Sequence, residues 1–280
     1  MNLIDAHSHI WTPDTEKYNL AAGFFRDGMK PPSFTDGELM QLAKPVGVNR
    51  VVLIQMSFYG YDNSYMLDTI KDHPERFRGV AVIDQDGVRP DVQMRELKKK
   101  GVTGFRIYPK NQQHETWLSS DGMHRMWTAG AEHRLNMCCL MNTIDLPALD
   151  RMCRDFPETP VVIDHLCRIG VSGRVEDEDV TALCGMARHK NVTVKVSAFY
   201  ALGKKKPPYH DLAPLIRRVY DAFGPQRLMW ASDCPFQAVD GHTYQASIDL
   251  IKSGLDFLSD SDKDWILRKT AERVFFGQAD

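Results

Sequence analysis

Two histidines near the amino terminus have the spacing of a metal-binding pair. His7 and His9 occur in the segment IDAHSH, residues 4–9, whose start is apolar enough to form a strand. Side chains two residues apart in a strand point to the same face. Two imidazoles at that spacing suit the binding of one metal ion, although two ordinary histidines near a chain end would give the same pattern.

Four further ionisable residues end or interrupt apolar segments. They are Arg106 in GFRIY, His165 at the end of VVIDH, Lys195 in VTVKVS and Asp233 at the end of LMWASD. A buried charge is costly without a partner, and any one of these residues alone could belong to an internal salt bridge. Since five predicted strands carry such residues, the pattern favours one shared site in which the charges are each other's partners.

Alternation gives a direction to each side chain of the segment that contains His165. Counting along residues 161–165 predicts that Val161, Ile163 and His165 share the inward face. The same counting predicts that Asp164 points toward the helices.

The elements that would position these residues alternate along the whole chain. The predicted strands are Leu3–His7, Arg50–Gln55, Arg78–Ile83, Val102–Tyr108, Leu135–Met141, Pro160–His165, Val192–Ser197 and Arg227–Asp233. The predicted helices include Asp62–His73, Pro90–Lys100, Met123–His133, Leu146–Asp155, Asp177–His189 and Asp211–Phe223. Alternating strands and helices predict a parallel sheet covered by helices.

Two features favour a closed barrel over an open sheet. No glycine-rich GxGxxG loop follows the first strand, as nucleotide-binding open sheets commonly require. The ionisable residues also fall at the carboxyl ends of several strands, where barrel enzymes build their active sites. We therefore predict a single-domain TIM (β/α)₈ barrel over residues 1–280, with the segments 11–33 and 199–210 as loops over its mouth.

Composition excludes several classes of partner. The 280 residues carry a formal net charge of −2 and no basic segment longer than three residues, such as Lys204–Lys206, which argues against nucleic acid. No apolar segment approaches the ~18 residues of a membrane span, and the polar start is not that of a secretory signal. The six cysteines have no CxxC spacing and are expected to be reduced. These features predict a cytoplasmic protein with a small-molecule substrate, and they leave a homo-oligomer open.

The motifs, taken in order, resemble those of the amidohydrolase-2 (amidohydrolase-related) family. The segments IDAHSHIW, VVLIQMSFYGYDNSYML, GFRIYP, VVIDHLCRIG, VTVKVSAFY and RLMWASDCPF follow one another between residues 4 and 236. They are similar in particular to the lactonase branch, which includes 2-pyrone-4,6-dicarboxylate lactonase and fuconolactonase. The resemblance extends over essentially the whole chain.

Eight residues have predicted roles, and five of these roles are implied by the resemblance. It implies that His7, His9, His165 and Asp233 form the centre of the site and that Arg106 binds a carboxylate or oxygen of the substrate. Tyr108, Lys195 and Gln55 are predicted to add substrate contacts at the rim, although Lys195 would serve equally well as an internal barrel lysine. Asp233 is the predicted general base, and His165 is predicted to stabilise the developing oxyanion.

One departure from the family pattern concerns the metal. Many metal-dependent members of the superfamily have a ligand on strand 4 or 5, and here strand 5 reads NMCCLMN, without one. A divalent ion would rest on His7, His9, Asp233 and His165, a set that suits zinc. We therefore predict one weakly bound divalent metal, most consistent with zinc, and leave a metal-free site open.

Three functions fit these residues. The first is a hydrolase, a lactonase that opens a carboxylate-bearing or sugar-acid lactone with an activated water. The second is a non-oxidative decarboxylase of an aromatic or unsaturated acid, against which the missing strand-5 histidine counts. The third is a barrel without catalysis that acts as a binding protein.

Overall fold

Eight parallel strands form one barrel. The computed structural model describes residues 2–110 and 113–277. Its strands are β1 (Leu3–Ser8), β2 (Val48–Ile54), β3 (Phe77–Ala81), β4 (Val102–Ile107), β5 (Asn136–Cys139), β6 (Val161–Ile163), β7 (Val192–Val196) and β8 (Leu228–Trp230). They pair in chain order, and a parallel bridge between Ser8 and Cys234 joins the last strand to the first. The predicted single-domain TIM barrel is confirmed.

Helices cover the outside of the barrel. They are α1 (Asp36–Ala43), α2 (Ser64–Asp72), α3 (Pro90–Lys98), α4 (Asp121–His133), α5 (Leu146–Asp155), α6 (Asp177–Gly185), α7 (Ala213–Phe223), α8 (Tyr244–Asp249) and α9 (Asp260–Asp264). The chain after α8 and α9 continues in wider π-helical turns over Leu250–Gly254, Trp265–Lys269 and Glu272–Phe276. The six predicted helical segments correspond to α2 through α7, with shifts of a few residues at their ends.

Two apolar layers hold this arrangement together. The larger layer lies between strands and helices and contains alternate strand residues such as Val51, Leu53 and Val194. The smaller layer fills the barrel interior with Ile4, Ala6, Val52, Ile54, Val80, Cys138, Val162, Met229 and Ala231, and Ala271 and Phe275 of the carboxyl-terminal segment pack against it. Since short branched side chains and alanine fill the narrow interior, the barrel is a packed core with its opening at one end.

The predicted facing of β6 is wrong. Val162 belongs to the interior layer, whereas Val161 and Ile163 pack in the outer layer. Asp164 is therefore on the interior side, where it is completely buried. The prediction failed because β6 ends at Ile163, so that His165 lies beyond the strand and alternation does not apply to it.

The cysteines and the helix lengths can be compared with what the composition predicts. All six cysteines are free thiols, and five of them are buried. Within the described ranges, no helix has both the length and the apolar character needed to cross a membrane.

Residues 21, 22 and 24 of the long segment after β1 lie at the barrel mouth, as do residues 200–202 after β7, and both segments were predicted to lie there.

Candidate active site

A cavity of about 880 Å³ opens at the carboxyl ends of the strands. Residues that follow all eight strands reach it: His9, Gln55, Val82, Tyr108, Leu140, His165, Ala198 and Asp233. Arg106 of β4 also lines it. Because all strands are parallel, the loops after them meet at one end of the barrel, which is where barrel enzymes place their active sites.

An irregularity in β1 turns both amino-terminal histidines toward the barrel axis. The pairing of β1 with β2 shifts register between Asp5 and Ser8. Because of this irregularity, the adjacent residues Ala6 and His7 both face the barrel interior. Asp5 is anchored on the other side of β1 by the hydroxyls of Ser232 and Tyr244, which donate to its carboxylate at 2.5 and 2.7 Å. His7 and His9, which were predicted to project together, have Asp233 as a shared neighbour.

Asp233 lies at the centre of the polar residues. Its Oδ1 is 3.4 Å from Nε2 of both His7 and His9, and its Oδ2 is 3.8 Å from Nε2 of His165. Its side chain is only 8% exposed, yet it lines the cavity. The residue has a left-handed backbone, with a φ of 61°, because the chain turns sharply just past β8.

His165 reaches the same point from the end of β6. Residues 165–168 all have positive φ angles, between 51° and 57°, so the chain makes a tight left-handed turn directly after Asp164. The turn brings the His165 ring to 4.5 Å from that of His7. The Nδ1 of His165 is 2.8 Å from the Ser197 hydroxyl, and the Nδ1 of His9 is 2.9 Å from the carbonyl oxygen of Ile54. Both rings therefore present Nε2 to Asp233.

A second pair of charges lies below this cluster. Lys195 Nζ is 3.0 Å from Asp164 Oδ1, and both side chains are completely buried. His7 connects the two levels, because its Nδ1 is 3.1 Å from Lys195 Nζ and 3.6 Å from Asp164 Oδ1. We call His9, His165 and Asp233 the upper group, and Asp164 and Lys195 the lower group. Phe275 closes the lower group from beneath, with its ring 5.3 Å from Lys195 Nζ.

The surroundings set the protonation of these residues. Burial raises the pKa of Asp233, but the neighbouring histidines, His165 foremost, outweigh it and hold that pKa well below its usual range. Burial likewise acts on Asp164, yet the Lys195 ammonium lowers its pKa well below normal. Burial lowers the pKa of His7 and of His165, and for His7 the Lys195 charge adds to the effect. At neutral pH the centre thus combines ionised Asp233 and Asp164 with neutral His7 and His165.

The four predicted substrate contacts fall in different places. Arg106, Tyr108 and Gln55 line the cavity. Gln55 has its amide nitrogen bonded to the carbonyl oxygen of Asp62 at 2.6 Å, so only its oxygen is left to face a ligand. Lys195 is not at the rim: it has no exposed surface and lies in the lower group, because β7 carries it to a deeper level than the strand ends.

A family comparison gives this site a context. Residues 4–277 match the family model described as Amidohydrolase. The chain belongs to the Amidohydrolase family.

Named relatives are similar to this chain over most of its length. The 4-sulfomuconolactone hydrolase of Hydrogenophaga intermedia is 27% identical over 97% of this chain and 88% of its own length. The L-fucono-1,5-lactonase of Burkholderia ambifaria is 28% identical over 85% of this chain and 82% of its own. Among solved structures, an amidohydrolase from Burkholderia multivorans with bound zinc superimposes with a TM-score of 0.81 at 18% identity, covering 99% of both chains. That last likeness is one of fold.

The donor set of this amidohydrolase fits a divalent metal ion. His7, His9 and Asp233 offer ligand atoms within 4.8 Å of one another. His7 Nε2 is buried and has no hydrogen-bond partner in the described part of the chain, as expected of an atom that awaits a ligand. Neutral imidazole and carboxylate are the ligands that zinc prefers in catalytic sites. One feature weakens the fit, because the other nitrogen of His7 lies closer to the Lys195 ammonium, at 3.1 Å, than to the Asp164 carboxylate, at 3.6 Å.

Three residues of the site were not identified by their sequence pattern. Asp164 was assigned to the wrong face, and Arg168 and Tyr200 were not considered, although both line the cavity. Arg168 and Tyr200 lie in irregular segments after β6 and β7, where no periodicity exists to give a side-chain direction. The only signal was their presence in the quoted segments VVIDHLCRIG and VTVKVSAFY.

Proposed function

We propose that this amidohydrolase is a lactone hydrolase. The observation that carries the proposal is the Asp233 carboxylate, which lies at the cavity floor 3.4 Å from two histidine nitrogens and is held ionised by its surroundings. An ionised carboxylate that faces a cavity can take a proton from water. The names of the two relatives, both hydrolases of lactones, agree with this chemistry.

Asp233 serves as the general base in the proposed reaction. It accepts a proton from a water molecule in the cavity, and the oxygen of that water attacks the lactone carbonyl carbon. The carbonyl oxygen gains negative charge as the carbon becomes tetrahedral, and His165 lies next to Asp233, where its Nε2 can donate to that oxygen when its Nδ1 accepts from the Ser197 hydroxyl. When the ring carbon–oxygen bond breaks, the ring oxygen takes up the proton and the product is a hydroxy acid.

Arg106 is proposed to bind an anionic group of the substrate. Its Nε is buried and has no hydrogen-bond partner within the described residues, although the residue lines the cavity. A buried guanidinium nitrogen without a partner costs free energy, and a bound carboxylate would satisfy it with a two-pronged contact. We therefore propose that the lactone carries a carboxylate or a similar oxyanion.

The cavity wall favours an apolar ring over a sugar. The side chains that line the cavity away from the polar centre are largely apolar; they include Ala21, Ala22, Phe24, Met56, Val82, Leu140, Val171, Leu202 and Phe236. A polyhydroxylated lactone needs a hydrogen-bond partner for each hydroxyl that it buries. Of the two classes that the sequence left open, this wall favours the carboxylate-bearing lactone with an unsaturated or apolar ring.

If a metal binds, His7, His9 and Asp233 would hold it, with His165 as a further ligand. When bound, a zinc ion would polarise the carbonyl and lower the pKa of water. Bound zinc in the Burkholderia multivorans relative supports this choice of metal. Elemental analysis of protein purified without chelator tests it: we expect substoichiometric zinc, and no metal together with full activity in chelator would contradict it.

A lactone panel tests the proposed function. The panel contains carboxylate-bearing unsaturated lactones and sugar-acid lactones, and it is read by acid release with and without chelator. We expect the carboxylate-bearing class to be hydrolysed faster. Release of carbon dioxide from an aromatic acid would favour the decarboxylase instead, and binding without turnover of any member would favour the non-catalytic barrel.

A further inference from the structure

One hydroxyl group of the cavity wall contacts the proposed base directly. Tyr200 lies in the segment after β7, and its hydroxyl donates a hydrogen bond of 2.8 Å to Asp233 Oδ2. The histidine nitrogens are farther from the same carboxylate, at 3.4 to 3.8 Å. Tyr200 therefore makes the closest polar contact to the Asp233 side chain among the described residues.

The two oxygens of Asp233 have different neighbours as a result. Oδ1 faces His7 and His9 at equal distances of 3.4 Å, whereas Oδ2 is occupied by the Tyr200 hydroxyl. Asp233 lies on a turn beyond the end of β8, and its backbone is fixed by a bond from its amide to the His7 carbonyl oxygen. That bond leaves the side-chain rotation free, and only the side-chain contacts set the direction of Oδ1.

The position of Tyr200 is itself fixed from behind. Its ring stacks on Phe236, with the centroids 6.3 Å apart and an interplanar angle of 29°, and its amide donates to Gln237 Oε1 at 3.4 Å. Gln237 in turn donates to the Tyr209 hydroxyl, which contacts His242. Burial, with the nearby Asp233 charge, raises the pKa of Tyr200, so its hydroxyl remains a donor. The hydroxyl is thus held in place before any substrate arrives.

We propose that Tyr200 is a positioning residue that holds the Asp233 carboxylate with Oδ1 toward the reacting water. The proposal rests on the proposed function, in which Asp233 is the general base. Proton transfer depends steeply on the distance and direction between base and water. A carboxylate that rotates away from the histidines would present its oxygen to the wrong part of the cavity.

The Tyr200→Phe variant tests this role, because it keeps the stacked ring and removes only the hydroxyl. We expect kcat on the best lactone of the panel to fall by about tenfold to a hundredfold, the range expected for one hydrogen bond to a charged group. KM and the inhibition constant of the hydroxy-acid product should change by less than about threefold, since the cavity wall is retained. Should this variant fold poorly, Tyr200→Met removes the same hydroxyl with an adaptable side chain, and the same fall in kcat is expected.

Tyr220→Phe is the matched control. Tyr220 lies on α7, and its hydroxyl bonds to Asp262 at 3.2 Å, away from the cavity and from the residues that fix Tyr200. We expect kcat within about twofold of the wild type for this variant. An equal loss of kcat in both variants, or a raised KM with unchanged kcat in Tyr200→Phe, would overturn the positioning role. If the wild type is active and Tyr200→Phe is equally active, this inference alone is refuted. If the wild type is inactive on every lactone, the proposed function is refuted and this inference with it.

Discussion

The upper and lower groups each contain one buried aspartate, but the surroundings of the two carboxylates differ. In the upper group, Asp233 meets imidazole nitrogens at 3.4 to 3.8 Å and lines an open cavity. In the lower group, Asp164 meets the Lys195 ammonium at 3.0 Å, and neither side chain has any exposed surface. Asp233 is thus surrounded by groups that can change partners when a ligand enters, whereas Asp164 is neutralised by a permanent cation.

The difference indicates a division of tasks. A carboxylate is useful as a base only where water can reach it, and that holds for Asp233 but not for Asp164. A buried ion pair without access to solvent is costly to break and gives specificity of arrangement rather than chemistry. His7, which touches both groups, transmits this arrangement, since the lower group fixes one of its nitrogens and the upper group uses the other.

The largest effect is expected for Asp233→Asn. The amide keeps the size of the side chain but cannot accept a proton, and loss of a general base costs roughly 10²–10⁴-fold in rate. We expect kcat to fall at least about a hundredfold while thermal stability is unchanged or improved. Steady-state kinetics and a melting curve measure both. Activity within a few-fold of the wild type would mean that Asp233 is structural and that the two groups do not differ in task.

Lys195→Met should have the opposite effect, a loss of stability rather than a direct loss of kcat. Methionine fills the space of lysine but leaves the Asp164 carboxylate buried without a cation, which costs about 3–5 kcal/mol. The double variant Lys195→Met/Asp164→Leu removes both charges and should recover most of that loss. Urea unfolding measures the free energies. A stable Lys195→Met protein that has lost its activity would assign Lys195 to the chemistry and remove the distinction between the groups.

A smaller effect is expected for Arg106→Lys. Lysine retains the charge but not the two-pronged geometry, so KM for a carboxylate-bearing lactone should rise by about tenfold, or ~1.4 kcal/mol. The fold should survive. Arg174→Lys, in an exposed arginine on the loop after β6, is the control and should leave KM unchanged. Early melting of Arg106→Lys would instead place Arg106 in the supporting structure together with the lower group.

The smallest effect is a dependence of stability on pH. The pKa values of His7 and His165 are lowered in the fold, so the unfolded chain binds more protons below its usual histidine pKa of about 6.5. The contribution of these histidines to the free energy of unfolding should therefore be fully present above about pH 6.5. The free energy of unfolding should decrease on acidification, by up to ~1.4 kcal/mol per pH unit for each histidine. The lowered pKa of Asp164 has the same sign below about pH 4. His165→Asn should make the decrease shallower, and an unchanged slope would contradict a neutral His165.

Much of this fold follows from the sequence because its signals are periodic. Eight apolar segments separated by amphipathic ones predict the barrel, and β4 and β7 begin at the predicted residues, Val102 and Val192. The histidine pair and Asp233 could be found because they come at the ends of such segments. Local periodicity and end signals are enough for these features.

The remaining features of the site depend on the tertiary structure. The facing of Asp164 was predicted wrongly because β6 has only three residues and a left-handed turn follows it. The depth of Lys195 depends on where the barrel closes beneath it, at Phe275, a residue 80 positions away in the sequence. Tyr200 lies in an irregular segment, and its contact to Asp233 exists only once β7 and β8 are adjacent.

Hydrolysis in ¹⁸O-labelled water tests the central claim most directly. The wild-type protein is incubated with each carboxylate-bearing lactone of the panel, and any product is analysed by mass spectrometry. If Asp233 activates water for attack on the carbonyl carbon, one labelled oxygen should appear in the newly formed carboxylate and none in the new hydroxyl group. A label in the hydroxyl group, release of carbon dioxide, or absence of turnover on every such lactone would contradict the account.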